Sequence, residues 1–193
     1  MKQMQTFMNR LASVTMACLT LALVACDKDD DTKTDPDLTL QQMVGNYSGS
    51  FDFKASPSDL NPNPQPQTDI PVSFEVTDQA TIHFPEFPIE AILKALVGES
   101  AAETLLEQIG TISYDANMID VSANASRLSA SLTTPVLRIN IGLEVVITIE
   151  SPQELSFTKE GLLEFTLKTT QYQMGSFEPA SLVNELIFTA RKQ

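Results

Sequence analysis

Few side chains in this sequence have the types and spacing that acid–base, nucleophilic or metal chemistry requires. The 193-residue chain contains one histidine, His83, and two cysteines, Cys18 and Cys26. A zinc site needs several thiolate or imidazole ligands, and a catalytic nucleophile needs a neighbouring base. His83 alternates with the apolar Ile82 and Phe84, which predicts that its ring faces solvent on a strand. The sequence therefore favours a surface histidine over a ligand or a catalytic base.

Two pairs of glutamates have a spacing that would bring their carboxylates together on a helix. Glu86 and Glu90 are four residues apart, as are Glu103 and Glu107. Paired carboxylates hydrolyse glycosides when one is a general acid and the other a base or a nucleophile. At helical spacing near an N-terminus, carboxylates more often remain solvated and complement the helix dipole. We expect this second arrangement for both pairs.

Two arginines lie on the polar positions of strands that we predict to be neighbours. Arg127 and Arg138 either pair with Glu144 or Asp120, or point into a barrel as an anion site, and ordinary ion pairs are the favoured interpretation. The sequence contains no phosphate-binding loop and no dinucleotide fingerprint. We therefore expect a protein that is not an enzyme and that has no cofactor and no metal site.

The N-terminal residues form the most specific motif. A basic leader precedes 15 uncharged residues, 11–25, which suit the apolar core of a signal peptide and are short for a membrane-spanning helix. Residues 23–26, Leu-Val-Ala-Cys, resemble the lipobox of bacterial lipoproteins. The resemblance implies removal of residues 1–25 as a signal peptide and a lipid on the sulfur of Cys26. Cys18 would leave with the signal peptide, so no disulfide is possible in the mature chain.

An acidic segment, residues 26–37, follows the signal peptide. It contains six aspartates against two lysines, and such a segment cannot bury apolar surface, so we expect a disordered tether. An acidic run directly after the acylated cysteine resembles the surface-export signal of Bacteroidetes lipoproteins, which implies an outer-membrane anchor at the cell surface. In other Gram-negative lineages, an aspartate after the cysteine resembles an inner-membrane retention signal. A plain solvated tether and a periplasm-facing protein remain the alternative.

The charge of the mature chain limits its partners. All 25 acidic residues and ten of the 12 basic residues lie after residue 25, so the mature net charge is −15. This charge argues against nucleic acid and against direct binding to anionic lipid surfaces. Contact with the membrane is expected only through the lipid on Cys26. Residues 38–193 are long enough for one domain with a real core.

Most of this domain alternates apolar and polar residues, which predicts antiparallel strands. Every odd residue from Leu137 to Ile149 is apolar, which predicts one long strand that bends at Gly142. A tight turn is predicted at residues 159–161. The other alternating segments are residues 47–53, 70–76, 80–84, 119–123, 128–132, 154–158, 162–174 and 183–190.

Two short amphipathic helices and a proline-rich loop interrupt the strands. Apolar residues at helical spacing predict the first helix between Pro88 and Gly98. A second helix is predicted to begin at a capping box, residues 100–103, and to end at Gly110. Residues 55–69 contain four prolines and predict a long exposed loop, which is either a tolerated insertion or a binding loop.

Eight to ten strands need a closed barrel or two packed sheets to protect their edges. We predict a mainly β fold, an antiparallel barrel or strongly curved sheet with two short inserted helices, and a β-sandwich is the alternative. Seven aromatic residues on apolar strand positions should form the core, although in a wide barrel some would line a ligand cavity. They are Tyr47, Phe51, Phe53, Phe74, Phe84, Phe165 and Phe188.

Several segments together resemble a known group of proteins. The lipobox, the acidic tether, an opening GNYSGSF strand (residues 45–51), the segment ATIHFPEFPIEAIL (80–93) and a closing NELIFTARK strand (184–192) are similar to small Bacteroidetes surface lipoproteins. These proteins carry an uncharacterised calycin-like, or lipocalin-like, domain. The resemblance covers residues 38–191, implies an antiparallel barrel-like fold and assigns no catalytic residue.

The function that the sequence favours is a non-catalytic binding module for a small apolar ligand or a partner. The alternative is a structural or accessory subunit of a cell-surface protein complex. A cavity lined by the aromatic residues would favour the first function, and an exposed apolar patch would favour the second.

Overall fold

Antiparallel strands make up most of the chain in the computed structural model, which describes residues 35–57, 61–140, 142, 144–176 and 183–193. Eight of its ten strands form a closed barrel, so the predicted barrel is confirmed over the sandwich. The strands are β1 (Gly45–Ala55), β2 (Gln67–Val76), β3 (Thr81–Phe84), β4 (Tyr114–Ala123), β5 (Arg127–Thr133), β6 (Leu137–Asn140), β7 (Glu144–Glu150), β8 (Leu155–Thr158), β9 (Leu162–Met174) and β10 (Asn184–Lys192).

The last strand closes the barrel. β10 pairs antiparallel with β1 on one side and with β9 on the other. The remaining neighbours follow in the order β1-β2-β3-β4-β5-β8-β9. β6 and β7 form a hairpin that extends the sheet, and β7 pairs with the second half of β9. β7 lies on the side of β9 opposite β10, beyond the end of β8, because Lys168 and Thr169 pair with both β7 and β10.

Three short helices accompany the strands in the part of the chain that is described: α1 (Leu40–Met43), α2 (Ile89–Val97) and α3 (Glu99–Ile109). α2 follows Pro88 and ends at Gly98, as predicted. The capping box predicted at residues 100–103 is wrong, because α3 already begins at Glu99. Gly98 has φ +82° and is both the C-cap of α2 and the N-cap of α3. A residue without a Cβ can adopt this conformation and redirect the chain in one step.

The barrel has two different ends. At the end where β1 begins and β10 finishes, which we call the entry end, Leu38 N donates to Asn124 O at 2.9 Å. There the Nζ of Lys159 also lies 2.5 Å from a carboxylate oxygen of Asp35 and holds the pKa of Asp35 below its usual value. α2 and α3 lie between the end of β3 and the start of β4, at the opposite end, which we call the helical end. The chain therefore enters the barrel on the side away from the helices.

Aromatic rings fill the centre of the barrel. All seven predicted core aromatics are buried, with exposed fractions of 4% or less. Phe188 stacks on Phe165 with ring centroids 4.6 Å apart and on Phe51 at 5.3 Å. The buried residues of α2 belong to the same hydrophobic cluster. The prediction that these side chains form the core is confirmed.

The long strand predicted from Leu137 to Ile149 is instead a hairpin. Gly142 has φ +80°, and Asn140 pairs directly with Glu144, so the chain reverses rather than bends. The alternating pattern was correct on both sides of the turn. A three-residue connection preserved the odd-numbered apolar parity, so the pattern alone could not distinguish one strand from two.

The apolar side chains at residues 119–123 were predicted to face the core, but Ile119 and Val121 face solvent. Ile119 and Val121 are 42% and 44% exposed, whereas Ala116 and Met118 earlier in β4 are buried. The pairing of β4 with β5 shifts at a bulge where Asp120 has φ 53°. Ile119 precedes this bulge, so it is exposed because the even-numbered residues Ala116 and Met118 face the core in this part of β4, and not because of the extra residue.

Closure of the barrel requires a residue without a Cβ at position 49, and this requirement can be tested. A Cβ at this position would overlap the backbone of Thr189 and Ala190 in β10. We predict that Gly49→Ala lowers the free energy of unfolding by roughly 1–3 kcal/mol, because β1 and β10 must separate to accommodate it. Ser50→Ala is the matched control and should change the stability by less than about 0.5 kcal/mol. Urea denaturation measures both, and equal stability of the two variants would contradict the prediction.

Candidate functional site

The barrel wall opens between β2 and the chain that leaves β3. β3 pairs with β2 only at Glu75–His83 and Val76–Ile82. Towards the helical end β2 continues back to Gln67, but β3 stops at Phe84. Within the described sheet, residues 67–73 therefore have β1 on one side and no strand on the other. We call this stretch the open edge.

A groove of about 720 Å³ lies beside the open edge. Its volume is within the range of roughly 300–1,000 Å³ that is typical of small-molecule sites. β1 and β2 supply one wall, and the segment after β3 together with part of α3 and the chain after it supplies the other. The groove residues are Ser48, Gly49, Phe51, Gln67, Ile70–Ser73, Pro85–Ala91, Leu106 and Gly110–Ile112.

The open edge presents backbone groups to the groove. Successive residues of a strand direct their N–H and C=O groups to alternate sides. Thr77, which follows β2, donates its N–H to Thr81 O at the start of β3. The backbone groups of Ser73 and Pro71 have the same parity and therefore also point to that side and hence to the opening. Pro71 has no backbone N–H, and a strand tolerates proline where no neighbouring strand needs that N–H as a hydrogen-bond donor. Residues 71–73 of the edge therefore offer two carbonyl acceptors, from Pro71 and Ser73, and one donor, the N–H of Ser73.

Carboxylates are the charged groups of the groove. Glu86 and Glu90, one of the predicted pairs, both line it and are exposed. Lys94 lies 2.9 Å from Glu90 and 3.4 Å from Glu99, and its hydrogen bond to Glu90 raises the pKa of Lys94. Glu86 precedes α2 and has no ion pair among the described residues. Among the described residues, no lysine or arginine lines the groove.

The second glutamate pair does not reach this site. Glu103 and Glu107 are exposed on α3 and are not among the groove residues. They are solvated, as predicted from their spacing.

His83 and Asp115 form a cross-strand pair on the outer face of the barrel. Their Nδ1 and Oδ1 atoms lie 2.6 Å apart, and their side chains are 39% and 56% exposed. The prediction that His83 faces away from the core is confirmed.

The two arginines also lie on the surface. Arg138 Nη1 donates to Glu144 at 2.9 Å, which is one of the predicted ion pairs, and Arg127 Nε donates to the hydroxyl of Ser156 at 2.6 Å. Both arginines are exposed, so they do not form an anion site inside the barrel. Surface pairs of this kind contribute about 0–1 kcal/mol to stability.

The proline-rich loop is shorter than predicted and is attached to a helix. β1 extends to Ala55 and β2 begins at Gln67, which leaves residues 56–66, of which 58–60 lie outside the described residues. Asn61 Nδ2 donates to the carbonyl oxygens of Lys94 at 3.3 Å and Ala95 at 3.0 Å. The loop is therefore held against the helical end, beside the groove.

Comparison with known proteins identifies the family. A family model described as Domain of unknown function (DUF4840) matches residues 42–190. The chain belongs to the DUF4840 family. The match spans β1 to β9, most of β10, the helices α2 and α3, and every residue of the groove. No curated protein and no solved structure matches the chain.

The DUF4840 domain contains a buried polar network that the sequence did not reveal. Tyr172 OH donates to Thr169 Oγ1 at 2.6 Å and accepts from Asn184 Nδ2 at 2.6 Å, and Thr169 Oγ1 also accepts from Asn184 N at 3.1 Å. Thr169 and Asn184 are fully buried. Burial raises the pKa of Tyr172 to about 12, so its hydroxyl remains a donor at neutral pH. The network joins β9 to β10 where the barrel closes.

Several sequence predictions concern parts of the chain that the structure does not describe. Cys26, the signal peptide and most of the acidic segment lie outside the described residues. Among the residues that are described, no helix combines the length and the apolar character needed to cross a membrane. In the same part of the chain, no group of three or more histidine, cysteine, aspartate or glutamate side chains is arranged to hold a metal ion.

The buried network predicts a contrast between adjacent threonines. Thr169→Val would leave the Asn184 N–H and the Tyr172 hydroxyl without their partner, so we expect it to lower the free energy of unfolding by about 1–3 kcal/mol. Thr170 lies next to it, with its hydroxyl on the exposed Glu150, so Thr170→Val should change the stability by less than about 0.5 kcal/mol. Thermal and urea unfolding measure both. Equal losses in the two variants would show that the network does not contribute as proposed.

Proposed function

We propose that this chain is an exported lipoprotein, held at the outer membrane by a lipid on Cys26, whose DUF4840 barrel binds a ligand or partner in the groove beside the open edge. The groove is the observation that carries the proposal. Aromatic rings occupy the barrel interior, so the binding space lies in the wall rather than at the centre. Its floor is apolar, with Phe51, Val72 and Phe87 all buried.

The direction in which the chain enters the barrel supports this arrangement. Asp35 lies nine positions after Cys26, and an extended chain of that length reaches about 30 Å. Asp35 and Leu38 contact the entry end, and the groove lies towards the helical end. A lipid on Cys26 would therefore hold the entry end near the membrane and leave the groove accessible from the far side.

The cell-surface location rests on the resemblance to small Bacteroidetes lipoproteins with a calycin-like domain. The acidic segment after Cys26 matches the expected export signal, and the barrel matches the expected fold class. The mature net charge of −15 would keep the barrel away from anionic headgroups. A periplasm-facing orientation is the alternative.

A second function, as a structural or accessory subunit of a surface complex, is favoured by a separate observation. Ile119, Val121 and Val136 are large apolar side chains with exposed fractions of 42–44%. Exposed apolar side chains of this kind can contribute to contacts between proteins. A subunit role would use this outer surface, whereas the binding role uses the groove.

Lipidation is tested with the two cysteines of the chain. The native host is grown with an alkyne-tagged fatty acid, and the tagged protein is detected after immunoprecipitation. We expect label on the wild type and on Cys18→Ala, and none on Cys26→Ala, because only Cys26 would remain after cleavage. Label retained by Cys26→Ala would contradict the assignment of the lipidation site. Proteolysis of intact cells then distinguishes the cell surface from the periplasm.

Ligand binding is tested with the barrel freed from its anchor. Residues 35–193 form one compact unit that contains the strands and the core, so a version without the lipid should fold. We expect native mass spectrometry of this protein, purified gently from its host, to show a reproducible added mass that denaturation releases. Leu106→Asn should abolish the adduct, because Leu106 lines the groove.

Leu105 provides the matched control. It lies on the same helix, is also half-buried and is not a groove residue. Leu105→Asn should have a similar effect on stability and should retain the adduct. Loss of the adduct in both variants, or its retention in both, would contradict binding in the groove.

A further inference from the structure

We propose that the occupant of the groove is an extended peptide segment of a partner protein, with alternating basic and apolar side chains, which adds to the open edge of β2 as an extra strand. The proposal rests on the binding function above and specifies the class of ligand. Three features of the groove support it: an unpaired strand edge, an apolar floor and a rim that is negatively charged.

The backbone of the open edge selects an extended chain. A peptide that pairs with a sheet edge obtains its affinity from main-chain hydrogen bonds and its specificity from pockets for alternate side chains. Pro71 and Ser73 offer two carbonyl acceptors, and Ser73 offers one N–H. A strand laid along the edge would satisfy all three groups. An entirely apolar ligand would remove them from water without replacing those hydrogen bonds, which is costly.

The side chains that line the groove select the composition of the peptide. Successive side chains of a strand point to opposite faces. One set would meet the apolar groove residues Phe87, Leu106 and Ile112, which are buried or half-buried. The other set would face Glu86, which has no ion pair among the described residues. Apolar residues on the first face and lysine or arginine on the second would complement both surfaces.

A second copy of this chain is a poor occupant. Each mature chain carries a net charge of −15, so two copies repel each other. A partner with basic residues gains from the same field that opposes self-association.

The backbone part of the proposal is tested by changing the donor at the open edge. The probe is a short fluorescent peptide that alternates arginine and valine, and fluorescence anisotropy measures its affinity for residues 35–193. Ser73→Pro removes this N–H but no hydrogen bond to β1, because that N–H points away from β1. We expect the affinity to fall by about tenfold or more. Ser73→Thr retains the N–H and should bind within about twofold of the wild type.

The charge part is tested by reversing one carboxylate. Glu86→Lys should weaken binding of the arginine–valine peptide by about tenfold at low salt, and Glu103→Lys should weaken it much less. Both substitutions change the net charge equally, but Glu103 is not a groove residue. A peptide that alternates glutamate and valine should not bind the wild type.

Each of the remaining outcomes would overturn the proposal. In the first, the arginine–valine peptide does not bind the wild type. In the second, it binds Ser73→Pro and Ser73→Thr with equal affinity while both variants keep the thermal stability of the wild type. In the third, the glutamate–valine peptide binds the wild type as tightly as the arginine–valine peptide does. If the peptide fails while the mass-spectrometric adduct persists and depends on Leu106, the groove binds another class of ligand. In that case the binding function stands and the peptide is excluded.

Discussion

The pairing of β10 with both β1 and β9 is the constraint on which the rest of the structure depends. It turns a sheet into a closed barrel and leaves β10 with no free edge. β10 also carries Phe188, whose ring lies within 5.5 Å of the rings of Phe51, Phe84 and Phe165. One strand therefore supplies closure and the centre of the core together. The close approach at Gly49 lies where β10 pairs with β1, and the buried network at Asn184 lies where β10 pairs with β9.

The groove exists because adjacent strands of the barrel differ in length. β2 has ten residues and β3 has four, so closure of the wall is incomplete where β3 ends. Pro85 and Pro88 have no backbone N–H to donate to a neighbouring strand, so the chain does not continue as a strand there. α2 follows and covers the end of the core with six buried residues. The difference in strand length therefore leaves an opening in the barrel wall. The opening has the hydrogen-bonding edge of β2 on one side and an apolar helical segment on the other.

Local patterns in the sequence predicted the core and the elements, but not the groove. Alternation placed Phe165 and Phe188 inward, and Gly98 ended a helix as expected, because both signals depend on neighbouring residues. The bulge at Asp120 and the turn at Gly142 depend on pairing between strands, which alternation does not record. The open edge is non-local in the same way. Pro71, which lies between the alternating apolar residues Ile70 and Val72, was the one sequence signal that could have indicated an unpaired edge.

Charge at this groove acts over two distances, and the two effects should be separated. The net charge of −15 that the chain would carry after removal of residues 1–25 would act on approaching molecules before contact, but salt screens it over about 8 Å at physiological ionic strength. It would therefore influence the rate at which the proposed basic partner arrives and not where that partner binds. In the proposed complex, Glu86 would act at contact, beside a backbone edge that fixes the direction of the bound strand. Hydrogen bonds and apolar contacts would then determine the position of the peptide, and a nearby carboxylate would determine the choice among extended peptides.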